Sequence, residues 1–208
     1  MFEELLERYP ELAACENEIR AAAQRWIDCY ENGGKLMICG NGGSCADAEH
    51  IVGELMKGFL KKRPASAQKI AEMKKRNPML DDSVIAKLQG GLPAIPLAAF
   101  TALNSAFCND VDAELVYAQP LMGLAQPGDI LICLSTSGNS KNVVAAAQVA
   151  KALGVTVISM TGKTGGKLKE ISDICICVPE TETFKVQELH MPVYHYLCAE
   201  TEGHFFTV

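Results

Sequence analysis

Residues 129–140 read Asp129-Ile130-Leu131-Ile132-Cys133-Leu134-Ser135-Thr136-Ser137-Gly138-Asn139-Ser140. An apolar run of strand length stops abruptly in hydroxyl side chains, a glycine and an asparagine. A helical pattern from Lys141 to Leu153 follows. The same order recurs on both sides. Lys35-Leu36-Met37-Ile38-Cys39 stops at Gly40-Asn41-Gly42-Gly43-Ser44, and a helix-like stretch runs from Ala46 to about Leu60. Val155 to Met160 leads into Thr161-Gly162-Lys163-Thr164-Gly165-Gly166 and a short helix, and Ile174 to Val178 is a last strand. Ala94 to Ala99 reads as a further strand, with Pro96 placing it at an edge or a strand end. Strands that are apolar throughout and alternate with helices predict a parallel sheet covered on both faces. Right-handed crossovers then bring the glycine- and serine-rich loops to one edge, where ligands bind.

Outward from these units, residues 1–32 carry apolar positions at helical spacing, with a break at Pro10 and a turn at Glu31-Asn32-Gly33-Gly34. Residues 61–92 are polar and helical in tendency, an insertion of one or two helices between the first crossover helix and the second strand. The 208 residues fit one domain over 1–208, with 1–34 as an N-terminal helical segment and 61–92 as the insertion. A hydrophobic content of 49% allows a full core and argues against disorder. A net charge of -6 argues against a nucleic-acid surface. Lys61-Lys62-Arg63 and Lys74-Lys75-Arg76 read as solvated helix faces. The nine cysteines include no C-x-x-C pair, and Cys175 and Cys177 point to one face of a strand. An odd thiol count, no signal peptide and no long apolar stretch place the chain in a reducing cytoplasm, off the membrane. Cys45 lies in a glycine-rich turn, either as a small filler or as a reactive thiol.

The loop at Ser135–Ser140 offers free N–H groups at a helix start together with the hydroxyls of Ser135, Thr136, Ser137 and Ser140, a combination suited to a phosphate dianion. Simple N-capping is the plainer reading, but it needs one such residue. The Gly40 loop departs from the dinucleotide fingerprint at Cys45, and the Thr161 loop departs from a nucleotide P-loop at Val157. Both failures shift the expectation from nucleotides to a small sugar phosphate. Asn41 and Ser44 are candidates for its hydroxyls, or ordinary turn residues. His50 and Glu54 stand four apart on one helix face, a spacing for a metal or acid/base pair and equally for a surface pair. Gln187, His190 and His195 fall in a later helix. A His/Glu/Gln/His set could hold zinc, and spacing does not choose between His190 and His195.

Gly40-Asn41-Gly42-Gly43-Ser44 with Asp47, His50 and Glu54, the serine loop, Thr161-Gly162-Lys163 with Gly165-Gly166, and Gln187-Glu188 with His195 together resemble sugar isomerase (SIS) domains. The nearest branch is the phosphoheptose isomerases. The resemblance covers most of the chain except about 61–92. It implies a five-stranded flavodoxin-like sheet in a three-layer α/β/α arrangement. It also implies a homotetramer, or a dimer, with sites shared between subunits. It assigns Ser135, Thr136, Ser137 and Ser140 to the phosphate, and Asn41, Gly42, Ser44, Asp110 and Gln187 to the sugar. Glu54 and His195 correspond to the acid/base pair, and His50, Glu54, Gln187 and His195 to a zinc set. The implied reaction converts sedoheptulose 7-phosphate to D-glycero-D-manno-heptose 7-phosphate through an enediol. A carboxylate removes a carbon-bound proton if desolvation raises its pKa, and an imidazole moves the hydroxyl proton. The alternative is a non-catalytic SIS protein of the replication-initiator-associated type, which binds a phosphosugar or a partner and whose kind lacks the glutamate at Glu54. Two departures stand out. Pro192 is expected to kink or interrupt the helix between Gln187 and His195, and the 61–92 insertion leaves room for another sugar.

Overall fold

A computed structural model describes residues 1–206. The chain begins with α1 (Phe2–Arg8), a 3-10 turn opened by Pro10, and α2 (Glu16–Glu31), so the expected break falls at the proline. Then come β1 (Leu36–Gly40), α3 (Gly43–Met56), α4 (Ala67–Arg76), α5 (Asp82–Ile85) and β2 (Ala94–Pro96). The remainder is α6 (Thr101–Asp110), α7 (Ala118–Leu124), β3 (Ile130–Ser135), α8 (Lys141–Ala152), β4 (Thr156–Thr161), α9 (Gly166–Ile171), β5 (Ile174–Cys177) and α10 (Thr183–Phe205). All five strands are parallel, in the order β2-β1-β3-β4-β5. This is the three-layer sheet expected from the apolar runs. β2 is shorter than its apolar stretch because Pro96 ends it, and Leu97–Ala99 turn into a 3-10 helix.

Both central strands are buried along their whole length. Alternate residues feed two separate cores, as the period of a strand requires. Leu36, Ile38, Ile130, Ile132 and Leu134 face α2, α3 and α10. Met37, Cys39, Leu131 and Cys133 face α7 and α8. The helices that carry His50, Glu54, Gln187 and His195 therefore share one face of the sheet.

α10 departs from expectation: it continues through Pro192 as one helix of 23 residues. The proline leaves the Glu188 carbonyl without an intrahelical donor. Val186, Val193 and Leu197, all fully buried, hold the helix on the core to either side of the gap. His190 is fully buried on this helix, and neither ring nitrogen has a hydrogen-bond partner among the described residues. Burial pushes its pKa down to about 4, with the Thr161 backbone offsetting only part of that. The unfolded chain, near 6.5, therefore takes up a proton first as pH falls. Stability is complete above pH 6.5 and drains away toward pH 4, by up to about 3 kcal/mol. His190→Leu is expected to flatten this slope in urea melts between those pH values, relative to the parent.

A second departure concerns Lys61-Lys62-Arg63. Only Lys62 is exposed, and the segment is not helical. Arg63 is fully buried and paired with Glu202 at 2.7 Å. A charge this deep requires a partner, and Glu202 lies far along the chain, where no local pattern announces it. Lys74-Lys75-Arg76 do lie on an open helix, since α4 has no buried residue. The insertion leaves and rejoins the body at one point. Pro64 bridges Gln89, and Gly90 N–H donates to the Arg63 carbonyl at 2.6 Å. Cys175 and Cys177 do share a face, with sulfurs 3.6 Å apart, and all nine thiols are free. Among the described residues no helix is long and apolar enough to cross a membrane.

Candidate active site

The strand register sets the first group of residues. Gly40 pairs with Leu134, and Ser135 with Thr161, so the loops after β1, β3 and β4 emerge side by side. The serine loop is tightly built. Ser135 and Ser140 hydroxyls lie 3.0 Å apart. Ser137 Oγ accepts from Asn139 N–H at 3.1 Å, while Asn139 Oδ1 accepts from Lys167 N–H at 3.1 Å. Gly162 N–H donates to Thr136 O and Leu168 N–H to Gly138 O, tying the loop to its neighbour. Ser140 stands at the N-cap of α8 yet makes no side-chain cap bond. The hydroxyls therefore do not serve as a helix cap, and the first turn of α8 keeps donors for an anion.

Gly138 has φ +66°, and a Cβ there would collide with the Gly165 carbonyl. Gly138→Ala is expected to cost more than about 2 kcal/mol, through both strain and clash. A thermal melt with and without inorganic phosphate should show a lower midpoint and no phosphate-induced rise.

Asn41 is exposed and forms a two-way amide pair with Asn142 at 2.8 and 2.9 Å. Tyr117 Oη donates to the Gly40 carbonyl at 2.6 Å and lies 3.2 Å from Asn41 Oδ1. Neither Asn142 nor Tyr117 stood out in the sequence, because both lie outside the glycine and serine motifs. Gly42 makes the turn into α3 at φ +56°, which starts that helix three residues before the expected Ala46. Ser44 is buried. Burial and the Glu49 charge raise the Cys45 thiol, so it is no activated nucleophile. Asp110 is exposed at the end of α6, where it accepts from Asn109 Nδ2 at 2.8 Å.

The second group lies along α3 and α10, which run side by side in the same direction. Gln187 packs on Gly43, where a Cβ would stand 2.7 Å from its Nε2. About two turns further along α10, Tyr194 Oη lies 3.2 Å from Asp47 Oδ1 and 3.0 Å from His50 Nδ1. His50 Nε2 faces Glu54 Oε1 at 3.3 Å, and Lys57 Nζ holds Glu54 Oε2 at 3.1 Å. The His195 ring stands 5.0 Å from the His50 ring and 5.6 Å from Phe59. The structure thus brings His195, not His190, to Glu54. Burial, and next the neighbouring His50, lower the His195 pKa, while Glu54 opposes them. A neutral imidazole results, able to give and take a proton. Its Nε2 is buried without a partner among the described residues, and a cavity of about 470 Å³ lined by Arg8, Tyr9, Phe59, Met191 and His195 opens beside it.

Residues 2–162 match the SIS domain family. A phosphoheptose isomerase of Akkermansia muciniphila is 33% identical over 202 residues, covering 97% of this chain and 93% of that one. A phosphoheptose isomerase of Nitratiruptor sp. is 39% identical over 179 residues, covering 86% and 82%. The solved structure of a phosphoheptose isomerase from Francisella tularensis superposes with a TM-score of 0.77 at 30% identity, covering 97% and 94%. The chain belongs to the SIS family, in its phosphoheptose isomerase branch.

The SIS fold divides the expected site into two parts within one chain. Glu54 lies eleven residues beyond Gly43 on α3, about 16 Å along the axis. Its neighbour Leu55 accepts from Leu92 N–H, just ahead of β2, at the sheet edge opposite the serine loop. The four residues that the branch resemblance assigns to zinc divide in the same way. His50 and Glu54 stand at a separation that two ligands of one ion could have, but Gln187 lies beside Gly43, about two turns from His195. Among the described residues no group of three or more His, Cys, Asp or Glu side chains is arranged for a metal. Gln187 thus lies apart from the other three positions.

Proposed function

We propose that the chain converts sedoheptulose 7-phosphate to D-glycero-D-manno-heptose 7-phosphate at sites shared between copies. Membership of the phosphoheptose isomerase branch, with identities of 33% and 39% over most of the chain, carries this reading. The serine loop and the uncapped start of α8 hold the phosphate. Asn41, Gly42 and Ser44 border the sugar from the neighbouring loop. Glu54 takes a proton from C1 of the ketose, next to the C2 carbonyl. His195 delivers a proton to O2 and accepts the one on O1, through an enediol. The proton carried by Glu54 returns to C2, which leaves the aldehyde at C1 and a new hydroxyl at C2. Nothing is consumed, and each group ends as it began.

The separation of the two parts supports an assembly. Fully extended, a heptose 7-phosphate spans roughly 10 Å from C1 to phosphorus, with bonds of about 1.5 Å. That is short of the distance along α3, which supports a carboxylate supplied by a second copy. α6 has no buried residue, and Leu103, Val111 and Leu115 are exposed on it and just after it, apolar surface suited to such a contact. A homotetramer or dimer and a cytoplasmic location, consistent with nine free thiols, complete the proposal. The test is purified protein with sedoheptulose 7-phosphate in deuterated water. Aldose must form, and deuterium must enter at C1 or C2. If neither occurs, the proposal is wrong.

A further inference from the structure

Arg63 and Glu202 take no part in either half of the site, yet both are closed off from solvent. Arg63 Nε donates to Glu202 Oε1 at 2.7 Å, Nη1 to the Leu55 carbonyl at 2.6 Å, and Nη2 to the Glu54 carbonyl at 3.0 Å. Those carbonyls belong to the last turn of α3, where a helix has no internal donors left. The cap residue Lys57 is extended and supplies none. A cation at this end also meets the negative pole of the helix. Glu202 accepts from the N–H groups of Phe59, Leu60 and Lys61 at 2.8, 2.7 and 3.1 Å, so the chain leaving α3 wraps the carboxylate. The Phe206 ring covers the guanidinium at 4.7 Å.

We infer that Arg63, held by Glu202, is a positioning residue for Glu54. It grips the backbone carbonyl of the base itself and so fixes where the carboxylate projects toward His50 and His195. The inference rests on Glu54 being the proton carrier. A buried ion pair by itself adds little to stability, since apolar or neutral substitutes of similar size often fold as well. Misplacing a reacting group by about 1 Å, however, costs on the order of 10²-fold in rate. The pair is therefore expected to show more strongly in turnover than in folding.

The test compares R63M/E202Q, R63K and E54Q for kcat, KM, melting temperature and oligomer size. Methionine fills the guanidinium volume, and glutamine still accepts from the backbone N–H groups. For R63M/E202Q, kcat per folded molecule should fall on the order of 10²-fold with KM within about threefold. R63K, whose ammonium can still reach a carbonyl, should recover about tenfold of that loss. A merely structural role would lower the melting temperature and leave kcat per folded molecule unchanged, which overturns the inference. If R63M/E202Q does not fold, R63K decides alone: kcat at the parent level overturns the inference, and a drop in kcat at steady KM supports it. If E54Q keeps its turnover, the assignment of the base fails and takes this inference with it. If E54Q is inactive while the Arg63 variants keep kcat, only the positioning role fails.

Discussion

Glu54→Gln is expected to lower kcat by on the order of 10²- to 10⁴-fold, the range for removing a general base. Glutamine keeps the size of the side chain and its contacts with His50 and Lys57, at 3.3 and 3.1 Å in the parent. It cannot accept a proton from carbon. KM should stay near the parent value, because the proposal assigns the phosphate to the serine loop of another copy, which the substitution leaves untouched. The melting temperature should move little, as the side chain is only partly buried and the substitution is isosteric. Deuterium exchange at C1 should fall in step with turnover. Near-parent turnover in a folded E54Q protein would remove Glu54 from the mechanism and leave the phosphate loop untouched.

Mixing two inactive proteins should restore activity. Ser137→Asp places a carboxylate in the loop proposed to bind the phosphate dianion, and the like charges should abolish binding. E54Q retains that loop and lacks the base. If each site takes its loop from one copy and its carboxylate from another, random re-assembly of equal amounts should recover about a quarter of parent turnover. Subunits would be exchanged by mild denaturation and dilution, and aldose formation followed. No recovery, with mixed oligomers confirmed by mass spectrometry, would mean that one chain supplies both parts, and the shared-site reading would fall.

Much of this fold was legible because two of its strands, β1 and β3, are buried throughout. Leu36–Gly40 and Ile130–Ser135 carry no polar residue until the sheet ends, so their limits can be read directly. The loops followed, since glycines and hydroxyls mark the carboxyl edge. The pairing of α3 with α10 was not legible, because it joins segments well over a hundred residues apart. His190 and His195 differ by five positions, and either could face α3 until the rotation of α10 is fixed. Pro192 pointed to a break that packing by Val193 and Leu197 overrides. Arg63 looked like surface charge because two lysines precede it, and its partner Glu202 gives no nearby signal. The distance between loop and base was within reach of the sequence: eleven helical residues separate Gly43 from Glu54.

The hydrogen-bonded stalk at Pro64 and Gln89 has a consequence for engineering. The segment it closes leaves and returns at one neck, and α4 buries nothing. Chain entropy penalises extra length there only weakly, about 0.6 kcal/mol for each doubling. A fluorescent reporter or affinity tag spliced near Asn77 should therefore ride on the enzyme as a passenger, leaving catalysis to the frame beneath.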